Sequence, residues 1–182
     1  DGARPGDVIA VSGTLGFSYA GLDLLEGGHV VPSARGVEEL GELEPFVRTY
    51  RSPRPPLGSG VAAAGAGARA MMDLSDGPAA DATRMAAASG VVIDFDRPSI
   101  EEEAWKLQGP ALICRADPVR WVLQGGEEHG MLAAFPPDVQ LPGGFRAIGR
   151  ARECAAGETP CAMFDGEVLR GAWDHFSSDS VD

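Results

Sequence analysis

The chain has 182 residues, of which 44% are hydrophobic and 23% charged, with a formal net charge of −12. That length and apolar share support a hydrophobic core within one domain. The acidity argues against nucleic acid and anionic membrane as partners, since both call for basic surface. No apolar run approaches the roughly 20 residues of a membrane span.

Three cysteines, Cys114, Cys154 and Cys161, are odd in number and lack C-x-x-C spacing. They read as free thiols of a cytoplasmic protein, not as a disulfide framework or a zinc site. The chain opens on Asp1-Gly2-Ala3 without a methionine, as expected of a piece of a longer protein.

In chain order, Asp7 to Gly13 reads as a buried strand ending in a glycine turn, Gly13-Thr14-Leu15-Gly16. Phe17 to Glu26 follows with helical apolar spacing at Tyr19, Leu22, Leu24 and Leu25. Strand, glycine turn and helix N-terminus is the arrangement of an anion site, or simply of a tight connection. Glu38 to Tyr50 reads as an amphipathic helix that Pro45 kinks or splits. Arg51 to Pro56 is an extended connector, and Gly60 to Ala70 a helix of small residues.

Next comes Met71-Met72-Asp73-Leu74-Ser75-Asp76-Gly77, two carboxylates and a hydroxyl where a strand or turn hands over to a helix. Asp76 fits an N-cap, and Pro78 a first helical turn. One cap needs one oxygen, and three oxygen ligands stand here. Mg²⁺ is bound by one or two carboxylates together with substrate phosphates, so Asp73 and Asp76 are candidate metal ligands.

The helix runs from Gly77 to Ser89 with Gly90 at its end, then Val91 to Asp96 is a strand. Pro98 to Leu107 reads as a helix whose Glu101, Glu102 and Glu103 form a solvated first turn. The stretch 109–118 fits no single element. Trp121 to Phe135 reads as two strands about a Gly125-Gly126 turn that holds Glu127 and Glu128 on an exposed corner. His129 is a surface or packing histidine. Phe145 to Arg150 is a strand, and Cys161 to Leu169 a hairpin with an Asp-Gly turn. Trp173 lies in an aromatic patch that docks on the body of the fold, as a stacking surface or as a plug. The last six residues read as a disordered tail.

Seven phrases recur in a fixed order: Gly2-Ala3-Arg4-Pro5-Gly6-Asp7, Ser12-Gly13-Thr14-Leu15-Gly16, Pro53-Arg54-Pro55, Met72 to Gly77, Ala88-Ser89-Gly90-Val91, Gln124-Gly125-Gly126-Glu127 and Trp173-Asp174-His175-Phe176. With them, residues 2 to 176 resemble the C-terminal half of the thiamine-monophosphate kinase family. That family is grouped with aminoimidazole-ribotide synthetase and selenophosphate synthetase. The sequence departs from the family pattern at Pro78, where leucine is usual, and at Glu128-His129-Gly130, where Asp-Tyr-Glu is usual.

The resemblance implies an α+β fold, a mixed sheet covered by helices, over residues 1 to 176 with a tail at 177–182. It implies transfer of the ATP γ-phosphoryl group to thiamine monophosphate. Asp73 and Asp76 would hold Mg²⁺, and Ser75 would contact an ATP phosphate. Glu127 would hold the aminopyrimidine, and Trp173 would pack on that ring. It also implies an N-terminal half of the same enzyme as partner, a homodimer in the full-length protein, and a weak or inactive isolated chain. Two alternatives stand beside it: an ATP-using relative with another substrate, of selenophosphate or hydrogenase-maturation type, and a non-catalytic domain that only binds a ligand or partner.

Overall fold

The computed structural model describes residues 1–31 and 38–169. In chain order these form β1 (Val8–Ser12), α1 (Phe17–Glu26), a 3₁₀ turn (Glu38–Leu43), α2 (Glu44–Arg51), α3 (Ser59–Gly65), β2 (Ala70–Leu74), α4 (Pro78–Ser89) and β3 (Val91–Phe95). There follow α5 (Arg97–Trp105), α6 (Gln108–Cys114), α7 (Pro118–Gln124), β4 (Gly130–Phe135), β5 (Phe145–Glu153), β6 (Ala162–Phe164) and β7 (Glu167–Val168). The strands make one sheet in the order β2-β4-β1-β5-β3-β6-β7. Its neighbours pair antiparallel except β3 with β6, so the sheet is mixed and the fold is α+β.

Alternation along each strand sends successive side chains to opposite faces. Ile9, Val11, Leu132, Ala134, Ile93 and Ile148 point to the face where α1, α2, α4, α5 and α7 build the main core. Ala10, Ala133 and Phe135 point the other way and meet Ala63 of α3. The sheet is thus thickly covered on one side and has α3 on the other. Among the described residues no helix is long and apolar enough to cross a membrane.

Most sequence expectations about the elements hold, and three are corrected. Pro45 does split the amphipathic stretch: it stands in the first turn of α2, after the 3₁₀ turn. The small-residue helix stops at Gly65, because the chain turns at Gly67 (φ 85°) and Ala70 already belongs to β2. Trp121-Val122-Leu123 is helical. Asp117 caps the Val119 N–H at 2.9 Å and Pro118 opens the first turn. All three apolar residues are buried, so the run shows no periodicity to separate helix from strand. Lastly, Glu103 is not solvated.

Glu103 is 3% exposed, while Glu101 and Glu102 face solvent. Its carboxylate accepts from Arg146 Nε at 2.5 Å and from Lys106 Nζ at 2.6 Å. Burial pushes this carboxyl up, but the hydrogen bonds and charges of Arg146 and Lys106 outweigh it and hold it below its ordinary value. Arg146 also donates to the Gly13 carbonyl at 2.8 Å, tying the glycine turn to β5. Glu103→Ala is expected to lower unfolding stability by about 2 kcal/mol, the scale of a charged hydrogen bond, as read by urea denaturation.

Candidate active site

The site is built where two backbone turns touch. β2 ends at Leu74, and Ser75-Asp76-Gly77 carries the chain into α4. Gly77 has φ 97°, a conformation that favours glycine, and a Cβ there would lie 2.5 Å from the Gly125 carbonyl oxygen. A side chain on Gly126 would run into the Ser75 carbonyl. With no side chains between them, the two turns come close enough for the Glu127 N–H to donate to the Ser75 carbonyl at 2.9 Å. Residues fifty positions apart in the chain thereby become neighbours.

Asp76 does not cap α4. Asp81, one turn inside the helix and 1% exposed, reaches back instead. Its Oδ2 accepts from the N–H groups of Ser75 (3.0 Å), Asp76 (3.0 Å) and Gly77 (3.1 Å). Burial raises the Asp81 carboxyl above its ordinary value against the opposing pull of the Asp76 N–H and of Arg84. Arg84 bridges Asp81 and Asp76, at 2.5 Å to each. The side chain of Asp76 is therefore held by an arginine beside a cleft that stays open. Neither Asp81 nor Arg84 was a sequence candidate; the available signal was an acid and a base, three residues apart, at the start of an Ala-rich helix.

That cleft measures about 570 Å³. Ser75, Asp76, Gly126 and Glu127 line one part of it, and Tyr19, Leu22, Tyr50 and Pro53 another. Of the sequence candidates, Ser75, Asp76 and Glu127 therefore meet in one cavity. Asp73 stands on β2 outside the lining and is exposed, but its Oδ2 accepts from Ser75 Oγ at 2.7 Å. Trp173 lies outside the described residues. Among those residues no group of three His, Cys, Asp or Glu side chains is placed to hold a metal ion. Glu127 adopts φ 69° and its side chain is 75% exposed, facing outward.

Glu128 overturns the picture of two exposed carboxylates on one corner. It is 6% exposed, and its Oε1 accepts from the Ser18 N–H at 2.8 Å, in the first turn of α1. The anion-site grammar of Gly13 to Gly16 is real, but this chain's own carboxyl occupies the helix end. Burial pushes the Glu128 carboxyl from 4.5 up to about 8, against the pull of the Ser18, Gly16 and Phe17 N–H groups.

No family model matches the sequence. Thiamine-monophosphate kinase from Mycobacterium tuberculosis (strain H37Rv) is 40% identical over 177 residues, covering 96% of this chain and 48% of that protein. The enzyme of the same name from Corynebacterium glutamicum is 41% identical over 148 residues, covering 81% of this chain and 42% of its own length. Among solved structures, AaThiL complexed with AMPPCP and TMP superimposes with a TM-score of 0.70 at 27% identity, over 97% of this chain and 53% of that one. The chain spans about half the length of the relatives it matches.

Two outcomes test the geometry. Gly126→Ala is expected to lower stability by about 2 kcal/mol, the scale of an overpacked contact, in thermal or urea unfolding. For Glu128, a raised folded pKa means the folded state binds more protons between pH 4.5 and about 8. Stability is then full below that window and falls as pH rises through it. The difference between wild type and Glu128→Gln, measured by urea unfolding across the window, should show this slope, the variant being flatter. Over 96% of its length, then, this chain is similar to the thiamine-monophosphate kinases, as a segment matching about half of one.

Proposed function

We propose that this chain is the C-terminal half of an ATP-dependent kinase that transfers the γ-phosphoryl group of ATP to the phosphate of thiamine monophosphate, giving thiamine diphosphate. The observation that supports it most is the cleft, whose lining sets Ser75, Asp76 and Glu127 on one part and an apolar wall with two tyrosines on another. Such a wall suits a flat heteroaromatic ring. The outward-facing Glu127 carboxylate has the chemistry to accept hydrogen bonds from the amino group of an aminopyrimidine. Trp173 is the proposed aromatic partner of the same ring.

Phosphoryl transfer needs little covalent help from the protein; positioning and charge neutralisation carry it. Asp73 and Asp76 supply the hard oxygen donors that Mg²⁺ takes alongside phosphates. Their chemistry fits that ion, and two carboxylates are as many as such sites use when phosphates complete the shell. Bound there, Mg²⁺ would offset charge on the polyphosphate, which a chain of net charge −12 would otherwise repel. Ser75 donates to Asp73 and so keeps that carboxylate oriented toward the turn, while the same residue stands on the cleft as a phosphate contact. Arg84 sets the position of Asp76. The N-terminal half of the enzyme is the proposed partner for a complete site, in a cytoplasmic homodimer.

The test uses the full-length enzyme that contains this chain. Asp73→Asn is expected to reduce kcat about 100-fold, the scale of losing one transition-state stabilising group, with an unchanged circular dichroism spectrum. Glu127→Gln should raise KM for thiamine monophosphate and leave KM for ATP unchanged. Full turnover by Asp73→Asn would remove that residue from the mechanism.

A further inference from the structure

Arg84 reaches two carboxylates, and the two differ in setting. Asp81 is buried, with three turn N–H groups on its Oδ2 and Arg84 Nη1 on its Oδ1. It is the anchored end, because breaking this pair would leave an uncompensated charge in the interior. The spacing of α4 sets it up: residues three apart on a helix are surface neighbours. Asp76 lines the cleft, its side chain is 29% exposed, and its Oδ2 takes Arg84 Nη2. The Arg84 side chain is itself 54% exposed. An ion pair open to water on both sides is weak and exchanges easily. Arg84 is thus fixed from behind and exchangeable in front.

The exchangeable end falls on a proposed metal ligand. Asp73, the other one, bears a neutral donor, the Ser75 hydroxyl. Asp76 bears a full positive charge. A bare divalent cation approaching Asp76 meets that like charge and must compete with it for one carboxylate. A cation that already carries a polyphosphate is different. The complex is anionic overall, and its phosphate oxygens are partners that a guanidinium takes in pairs. The same arginine therefore opposes one form of the metal and favours the other.

We infer that Arg84 is a specificity-determining residue for the metal: it holds the Asp76 carboxylate against the bare divalent cation and yields it to one that arrives bound to polyphosphate. The inference rests on the proposed role of Asp76 as a metal ligand and adds to it a residue outside the ligand set.

The experiment titrates the full-length enzyme with Mn²⁺, which shares the oxygen preference of Mg²⁺. One probe is Mn²⁺ alone, read by the electron paramagnetic resonance of the free ion. The other is the Mn²⁺ complex of AMPPCP, read by calorimetry with no acceptor present. Arg84→Gln is expected to bind bare Mn²⁺ about 10-fold tighter, the scale of one like charge removed from a solvated site. It should bind the complex no tighter than wild type does, so the preference for the complex falls about 10-fold or more. Arg84→Lys keeps the charge and should keep most of the preference. Should Arg84→Gln alone unfold, Asp81→Asn with Arg84→Gln removes both charges and leaves an amide oxygen for the three N–H groups, with the same shift expected. An unchanged preference in Arg84→Gln overturns the inference, including the case in which both probes weaken together, which marks a structural role. Weaker binding of bare Mn²⁺ overturns it as well. Asp76→Asn separates the two readings. If it binds bare Mn²⁺ as wild type does, the ligand assignment fails and the inference with it. If it loses Mn²⁺ while Arg84→Gln gains nothing, the ligand assignment stands and the inference alone is overturned.

Discussion

One backbone hydrogen bond organises the site, from the Glu127 N–H to the Ser75 carbonyl. It forms only because Gly77 and Gly126 put no side chains between the two turns. Each turn is anchored in its own element, one at the junction of β2 and α4, the other at the end of α7. Their contact converts two unrelated stretches of sequence into a single rigid lip along the cleft. Asp81 finishes the construction from below by holding three successive N–H groups of the first turn. The shape of that turn is thus fixed by folding, and a ligand meets it already ordered.

Charge placement follows the same economy. Acidic side chains outnumber basic ones, 27 to 15, so the fold must say where each carboxylate goes. Several take structural tasks: Glu103 binds Arg146 and Lys106, Asp7 binds Arg69, and Glu128 closes the N-terminus of α1. At the lip, Asp73 and Glu127 are exposed, and Asp76 is half-buried and paired with Arg84. A cation, metal or guanidinium helps such an acidic surface to accept a polyphosphate.

The elements with clean periodicity were legible in the sequence. α1 matches its expected bounds, Phe17–Glu26, because Leu24 and Ala20 mark one buried stripe between two glycine turns. The Asp165-Gly166 hairpin is equally plain, both residues having positive φ as that turn type requires. α7 was hidden because burial on all sides erases the pattern that distinguishes helix from strand. In the site, the phrases around Ser75 and Glu127 meet at one cavity, while Glu128 was misplaced. Nothing local tells that one of two adjacent glutamates turns inward: that depends on the α1 N-terminus, more than a hundred residues away in sequence. Asp81, Tyr19 and Tyr50 were likewise invisible as site residues, since their roles exist only once the helices are packed.

β2 is the outermost strand of the sheet, a five-residue run of Ala, Met, Met, Asp and Leu. Its outer row of amide groups is the kind of margin on which a second strand can template itself. Asp73 is the single charge on that run, and it faces solvent. The carboxylate proposed as a magnesium ligand would therefore double as a guard against self-association, so neutralising it would change colloidal behaviour as well as chemistry.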